Sequence, residues 1–132
     1  MNKVENSWKF YNESLKYLGS GSSTNSKRPV FKEYEPAIIV KGSGCRVWDI
    51  DGNEYIDFRC ALGPVTLGYN IKEINNAIEN QLKNGIIFSY PHPLEGEVAK
   101  KLVEVIPCAE KVRFLKTGGE AISACIKIAR NY

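Results

Sequence analysis

The sequence of 132 residues predicts an α/β fold, on three observations. Residues 86–132 alternate apolar runs of β-type length with segments of helical periodicity, as helices laid on a sheet do. Residues 45–58, CRVWDIDGNEYIDF, set two β-type arms around Asp51-Gly52-Asn53, a strong local hairpin signal. The composition, 43% hydrophobic and 25% charged, is that of a chain that buries a core.

The elements follow in chain order. Trp8, Tyr11, Leu15 and Leu18 recur at helical spacing over residues 5–18, with Gly19 placed to end the helix. GSGSSTNSKRP (residues 19–29) reads as a flexible, solvated loop, although its hydroxyls and Lys27-Arg28 could contact a ligand. Ala37 to Val40 is a short β-type run before the hairpin. Asp49, Asp51, Glu54 and Asp57 lack the spacing and distal glutamate of a calcium loop, so the hairpin reads as structural. Gly63-Pro64 and Gly68 then break the chain into a loop.

Asn70 with Glu73 suggests a capping box opening a helix whose face is Ile71, Ile74, Ile78 and Leu82, closed by Gly85. IIFSY leads to Pro91-His92-Pro93, where the prolines impose an extended turn and the histidine reads as a turn residue rather than a catalyst. Leu94, Val98, Leu102 and Val105 predict another helix. Val112, Phe114 and Leu115 predict a buried strand, and Ile122, Cys125, Ile126 and Ala129 a final helix face.

Several function classes are disfavoured. The net charge of +3 comes from scattered lysines, which does not suggest a nucleic-acid surface. No run approaches the roughly 18 apolar residues of a membrane span, and the N-terminus lacks the apolar stretch of a secretory signal. Cys45, Cys60, Cys108 and Cys125 form no C-x-x-C and have no neighbouring histidine, so a zinc site is not indicated. They read as buried free thiols of a cytoplasmic protein.

The chemistry concentrates at Phe114–Ala121, F-L-K-T-G-G-E-A. A strand turning through Thr117-Gly118-Gly119 into a helix leaves the first helical amides without intrahelical partners. Glycines let an anion approach the backbone, the helix dipole favours negative charge, and phosphate is the natural occupant. Glu120 could instead cap those amides itself. The junction matches neither G-x-x-x-x-G-K-[ST] nor G-x-G-x-x-G, so the residues alone leave phosphate binding and a structural turn both open.

Taken together, the segments resemble the N-terminal portion of class III, fold-type I pyridoxal-phosphate enzymes, in the glutamate-1-semialdehyde aminomutase-like branch. The matching pieces are SLKYLGSGSSTNSKRP, GSGCRVWDIDGNEYIDF, LGPVTLGYN, FSYPHPLEGEVAKKL and IPCAEKVRFLKTGGEAISACIKIAR, in family order. The resemblance implies pyridoxal 5'-phosphate as cofactor, with its phosphate held by Thr117, Gly118 and Gly119. Family members usually read S-G-T-E-A there, so Gly119 lacks a hydroxyl that serine or threonine supplies. Ser23 and Thr24 fall in a segment that lies near substrate in the family. Arg59 to Gly63 falls in another, where true aminomutases carry S-W-G and this chain has Ala61-Leu62-Gly63. That departure points away from glutamate semialdehyde and toward an aminotransferase acting on another carbonyl.

The resemblance further implies ping-pong transfer between a small amino donor and a carbonyl acceptor, a homodimer, and a division into a small-domain segment (residues 1–85) and the start of the cofactor-binding large domain (residues 86–132). None of the thirteen lysines lies in a motif matching the cofactor lysine. No catalytic residue is therefore assigned, and the chain reads as a truncated portion of such an enzyme, inactive alone. The alternative is a non-catalytic interaction or small-anion-binding remnant of the fold.

Overall fold

The computed structural model describes residues 3–32 and 34–132. The chain divides into two units, Met1–Asn84 and Gly85–Tyr132.

The first unit begins with helix α1, Glu5–Ser14. The residue at its N-cap position, Val4, has no side chain able to cap. Asp51, in the hairpin turn, supplies the cap instead: its carboxylate accepts from the amides of Asn6 (3.1 Å) and Ser7 (2.8 Å). The helix is shorter than its periodicity suggests and ends well before Gly19. The chain doubles back so that the Tyr11 hydroxyl donates to the Ser20 carbonyl at 2.8 Å. Gly21 lies so close beneath that ring that a Cβ there would stand 2.6 Å from it. The following loop is not a featureless linker. It contains two 3₁₀ turns, Gly19–Gly21 and Asn25–Lys27.

Three strands, β1 (Ile39–Ser43), β2 (Arg46–Asp49) and β3 (Glu54–Ile56), form an antiparallel sheet in that order. Val47 pairs with Gly42 on one side and Tyr55 on the other. Lys41 and Trp48 are cross-strand partners, with the ammonium 4.7 Å from the ring centroid. The β2–β3 connection is the hairpin expected at Asp51-Gly52, with Gly52 at φ +84° as its turn requires.

The interior of this unit is small and polar. Among the described residues, Val4, Tyr11 and Val47 are its buried apolar side chains, joined by Ser7 and Asp49. Ser7 is 0% exposed, and its Oγ accepts from the amides of Ala37 (2.9 Å) and Ile38 (2.7 Å), tying α1 to the approach of β1. The Asp49 carboxylate accepts from Asn53 N, Asn53 Nδ2 and the Tyr55 hydroxyl, each at 2.8 Å. These carboxylates thus hold the hairpin and the helix, consistent with the structural reading of the motif.

Helix α2 covers Lys72–Asn84, and Gly85 follows it at φ +92°. Asn70 does not open this helix as expected. It lies one residue too early, at φ +60°, and its side-chain oxygen accepts from Asn75 Nδ2 at 2.5 Å.

In the second unit, α3 spans Pro93–Val105 and α4 spans Gly118–Asn131. His92 caps α3: its Nδ1 accepts from the Leu94 amide at 3.3 Å, while Glu95 accepts from the His92 amide at 3.1 Å. The histidine is a capping residue, and Phe88 stacks on it with centroids 5.4 Å apart. No strand forms over residues 112–115, against expectation, and Phe114 and Leu115 are exposed. A strand exists only through ladder bonds to a neighbour, and this segment has none among the described residues. The cysteines are free as expected but not buried: Cys45, Cys108 and Cys125 are exposed and Cys60 is partly so. Among the described residues, no helix is long and apolar enough to cross a membrane, and no cluster of three metal-ligating side chains occurs.

Candidate functional site

The first candidate is the start of α4. Thr117 is extended (φ −129°, ψ 157°) and forms a reciprocal capping box with Glu120. Its Oγ1 accepts from the Glu120 amide at 3.2 Å, while Glu120 Oε2 accepts from the amides of Lys116 and Thr117, both at 3.0 Å. Glu120 therefore does cap amides, but those preceding the glycines. The N–H groups of Gly118 and Gly119 have no partner among the described residues. The Thr117 hydroxyl, engaged as an acceptor, keeps its own hydrogen to donate.

A Cβ built on Gly118 or Gly119 meets nothing within 4 Å, and neither residue is in the left-handed region. The fold's own packing does not demand glycine at either position. What the junction offers is two free amides at the positive end of a fourteen-residue helix, one hydroxyl donor, and open space above them. These are the features that fit a phosphate group.

The second candidate is a cavity of about 500 Å³ in the first unit. Ser23 lines it, together with Ser22, Ser26 and Lys27 from the same loop. Thr24 does not line it; its hydroxyl pairs with that of Ser26 at 3.0 Å. Ala61 and Leu62 also line the cavity. The two segments that the resemblance associates with substrate therefore meet at one cavity.

The Ala61 side of this cavity has an unusual backbone. Cys60, Ala61 and Leu62 lie at φ +47°, +51° and +68°, followed by Gly63 at +120°. Left-handed geometry costs a non-glycine residue roughly 1–2 kcal/mol, so three in succession need external support. Asp57 provides it: Oδ1 accepts from the amides of Arg59 (2.8 Å) and Cys60 (3.2 Å), while Oδ2 accepts from the Tyr69 hydroxyl at 2.6 Å. The Tyr69 hydrogen bond is the main reason that Asp57 titrates below its ordinary value, aided by those amides and opposed by burial. The same bond, with burial, pushes the Tyr69 phenol up to about 12. Arg59 Nη2 donates to the Ser26 carbonyl at 2.8 Å, linking the turn to the serine loop.

The parts played by Asp57 and Tyr69 escape a reading of the sequence. Three consecutive non-glycine residues at positive φ contradict local propensity, so R-C-A-L-G carries no signal for such a turn. The nearest clue is the Gly63-Pro64 break that follows.

The family model for class-III aminotransferases matches residues 30–132. The chain is 43% identical over 132 residues to a glutamate-1-semialdehyde 2,1-aminomutase from Persephonella marina, covering 98% of this chain and 30% of that protein. It is 44% identical over 124 residues to a 3-aminobutyryl-CoA aminotransferase from Cloacimonas acidaminovorans, covering 91% of this chain and 30% of that protein. A solved transaminase with pyridoxal phosphate bound superposes with a TM-score of 0.87 at 31% identity, over 98% of this chain and 30% of that one. The chain thus spans about 30% of the length of the curated relatives it matches. Its fold is that of the corresponding part of pyridoxal-phosphate transaminases, and pyridoxal phosphate is the cofactor of the group. With a match covering most of its length, the chain belongs to the class-III aminotransferase family.

Proposed function

We propose that the chain forms part of a pyridoxal-phosphate-dependent aminotransferase or aminomutase that transfers an amino group to a carbonyl substrate. One observation carries the reading: in a chain of this family, the amides of Gly118 and Gly119 and the Thr117 hydroxyl stand free under open space at a helix N-terminus. When bound, the cofactor supplies the carbonyl that takes up and releases amino groups. Thr117, Gly118 and Gly119 hold its phosphate. The Glu120 carboxylate orients the junction by capping the two preceding amides, leaving the glycine amides to the ligand.

Ser23 is assigned to the substrate side, since it lines the cavity bordered by Ala61 and Leu62. Thr24 is assigned to shaping that loop, through its bond to Ser26. Ala61-Leu62-Gly63 presents no aromatic side chain, which favours an aminotransferase acting on a carbonyl other than glutamate semialdehyde. Residues 1–85 are read as a small-domain segment and 86–132 as the start of the large, cofactor-binding domain. The family resemblance supports a homodimer acting on a small amino donor and a carbonyl acceptor.

The test is addition of pyridoxal phosphate to the complete polypeptide carrying these residues, followed by an amino donor. The expected result is visible absorbance of bound cofactor that the donor bleaches. A product that acquires no cofactor absorbance overturns the reading.

A further inference from the structure

The left-handed turn at the cavity is held by Asp57 and Tyr69, which border the same cavity. Tyr69 is fixed on three sides: its amide and carbonyl bond to Gly44 (2.8 and 2.9 Å), its hydroxyl reaches Asp57, and its ring lies against Gly42. A Cβ on Gly42 would stand 2.5 Å from that ring. Gly68, at φ +91°, lets the chain pass the Gly44 carbonyl, which a Cβ would meet at 2.8 Å. Asp57 is anchored in turn, its amide donating to the Cys45 carbonyl at 2.9 Å. Backbone at the β1–β2 corner thus fixes Tyr69, Tyr69 fixes the Asp57 carboxylate, and the carboxylate fixes the amides that start the turn.

We propose that Asp57 and Tyr69 are positioning residues that set the substrate specificity of the cavity by holding Cys60–Leu62 in its left-handed turn, so that Ala61 and Leu62 form part of its lining. The inference rests on the cavity being the substrate site, but the state of the turn can be measured independently of turnover. Both residues hold the turn and also line the cavity themselves, so hydrogen exchange in the turn, rather than turnover alone, reports the positioning role. A relaxed turn would withdraw the methyl groups of Ala61 and Leu62 and free the Arg59 latch to the Ser26 carbonyl, changing the shape of the cavity on two sides.

The experiment compares the parent with Tyr69→Phe, Asp57→Asn and Gly42→Ala. Amide hydrogen exchange at Arg59 and Cys60 is measured against Asp49, whose amide bonds to the Asn53 carbonyl within the hairpin. Loss of one charge-assisted hydrogen bond should speed exchange at Arg59 and Cys60 about tenfold in Tyr69→Phe, with Asp49 unchanged. Asp57→Asn, which removes the charge from both amide bonds and from the Tyr69 bond, should speed exchange at least as much as Tyr69→Phe. Gly42→Ala should reproduce the Tyr69→Phe result by displacing the ring.

In the full-length enzyme, the ratio of kcat/KM between a bulky donor (L-phenylalanine) and a small one (L-alanine) should shift in Tyr69→Phe. Exchange at Arg59 and Cys60 that matches the parent in Tyr69→Phe overturns the proposal. So does faster exchange with an unchanged donor ratio. A parent enzyme that turns over neither donor counts against the aminotransferase reading, and the exchange measurement still decides whether Asp57 and Tyr69 hold the turn.

Discussion

Replacement of Gly119 by serine tests the phosphate cradle directly. A Cβ at this position meets nothing within 4 Å, and the residue is outside the left-handed region, so the folded chain accommodates the side chain. Serine is also a better helix residue than glycine by a few tenths of a kcal/mol, so stability should not fall. The new hydroxyl would stand beside the free Gly119 amide. A hydrogen bond to a charged group is worth about 1.5–3 kcal/mol, and the exposure of this junction argues for the lower figure. Affinity for pyridoxal phosphate should therefore rise about tenfold.

Gly118→Val should act in the opposite direction. Its Cβ also meets nothing in the free chain, but the branched side chain fills the space over the amides that a phosphate needs. Equilibrium dialysis on the complete polypeptide, with pyridoxal phosphate and in parallel with phosphate-free pyridoxal, separates the effects. Only the phosphorylated ligand should respond. Equal affinities in parent, Gly119→Ser and Gly118→Val, or equal responses to pyridoxal, would refute the assignment of the phosphate to this junction.

Two further outcomes follow from the first unit. Ser7→Ala strands the part-buried amides of Ala37 and Ile38, and at about 1 kcal/mol per group, the low end for an unsatisfied buried donor, the loss should be roughly 2 kcal/mol; urea unfolding followed by tryptophan fluorescence measures it, and a loss below about 0.5 kcal/mol would contradict the bonding scheme. The Asp57–Tyr69 pair predicts a loss of stability at both pH extremes. Asp57 has a lowered folded-state pKa, so its contribution is complete above the ordinary carboxylate value of about 3.9 and disappears as pH falls through the lower folded value. Tyr69 is raised from 10.0 to about 12, so its contribution is complete below 10 and disappears as pH rises through about 12. A phenolate absorbance titration of Tyr69→Phe should lose a late-titrating component present in the parent; an unchanged late component in the variant would place it on another tyrosine.

The features legible in the sequence were those whose causes lie within a few residues. Asp51-Gly52 announces its hairpin because the turn geometry is local, and the Thr117-Gly118-Gly119 junction announces the start of α4 for the same reason. The roles hidden from the sequence depend on distant partners. Asp51 reads as a turn residue, yet it also caps a helix more than forty positions earlier. Residues 112–115 have strand character, but no neighbouring strand among the described residues realises it. The turn at Cys60–Leu62 opposes local preference and is held by a tyrosine twelve residues from its aspartate partner. The glycine junction was legible as a choice between anion site and turn; the division of its amides between Glu120 and open space required the three-dimensional arrangement.

The small polar interior of the first unit has a thermodynamic consequence. Unfolding raises the heat capacity of a protein chiefly by wetting apolar surface, while wetting polar surface lowers it. Val4, Tyr11 and Val47 are the buried apolar residues among those described, and many isoleucine, leucine and phenylalanine side chains already face solvent. The heat-capacity increment of this chain must therefore lie below the roughly 12–15 cal/mol/K per residue usual for globular proteins. Its stability curve is correspondingly flat, and association that covers those apolar side chains would steepen it.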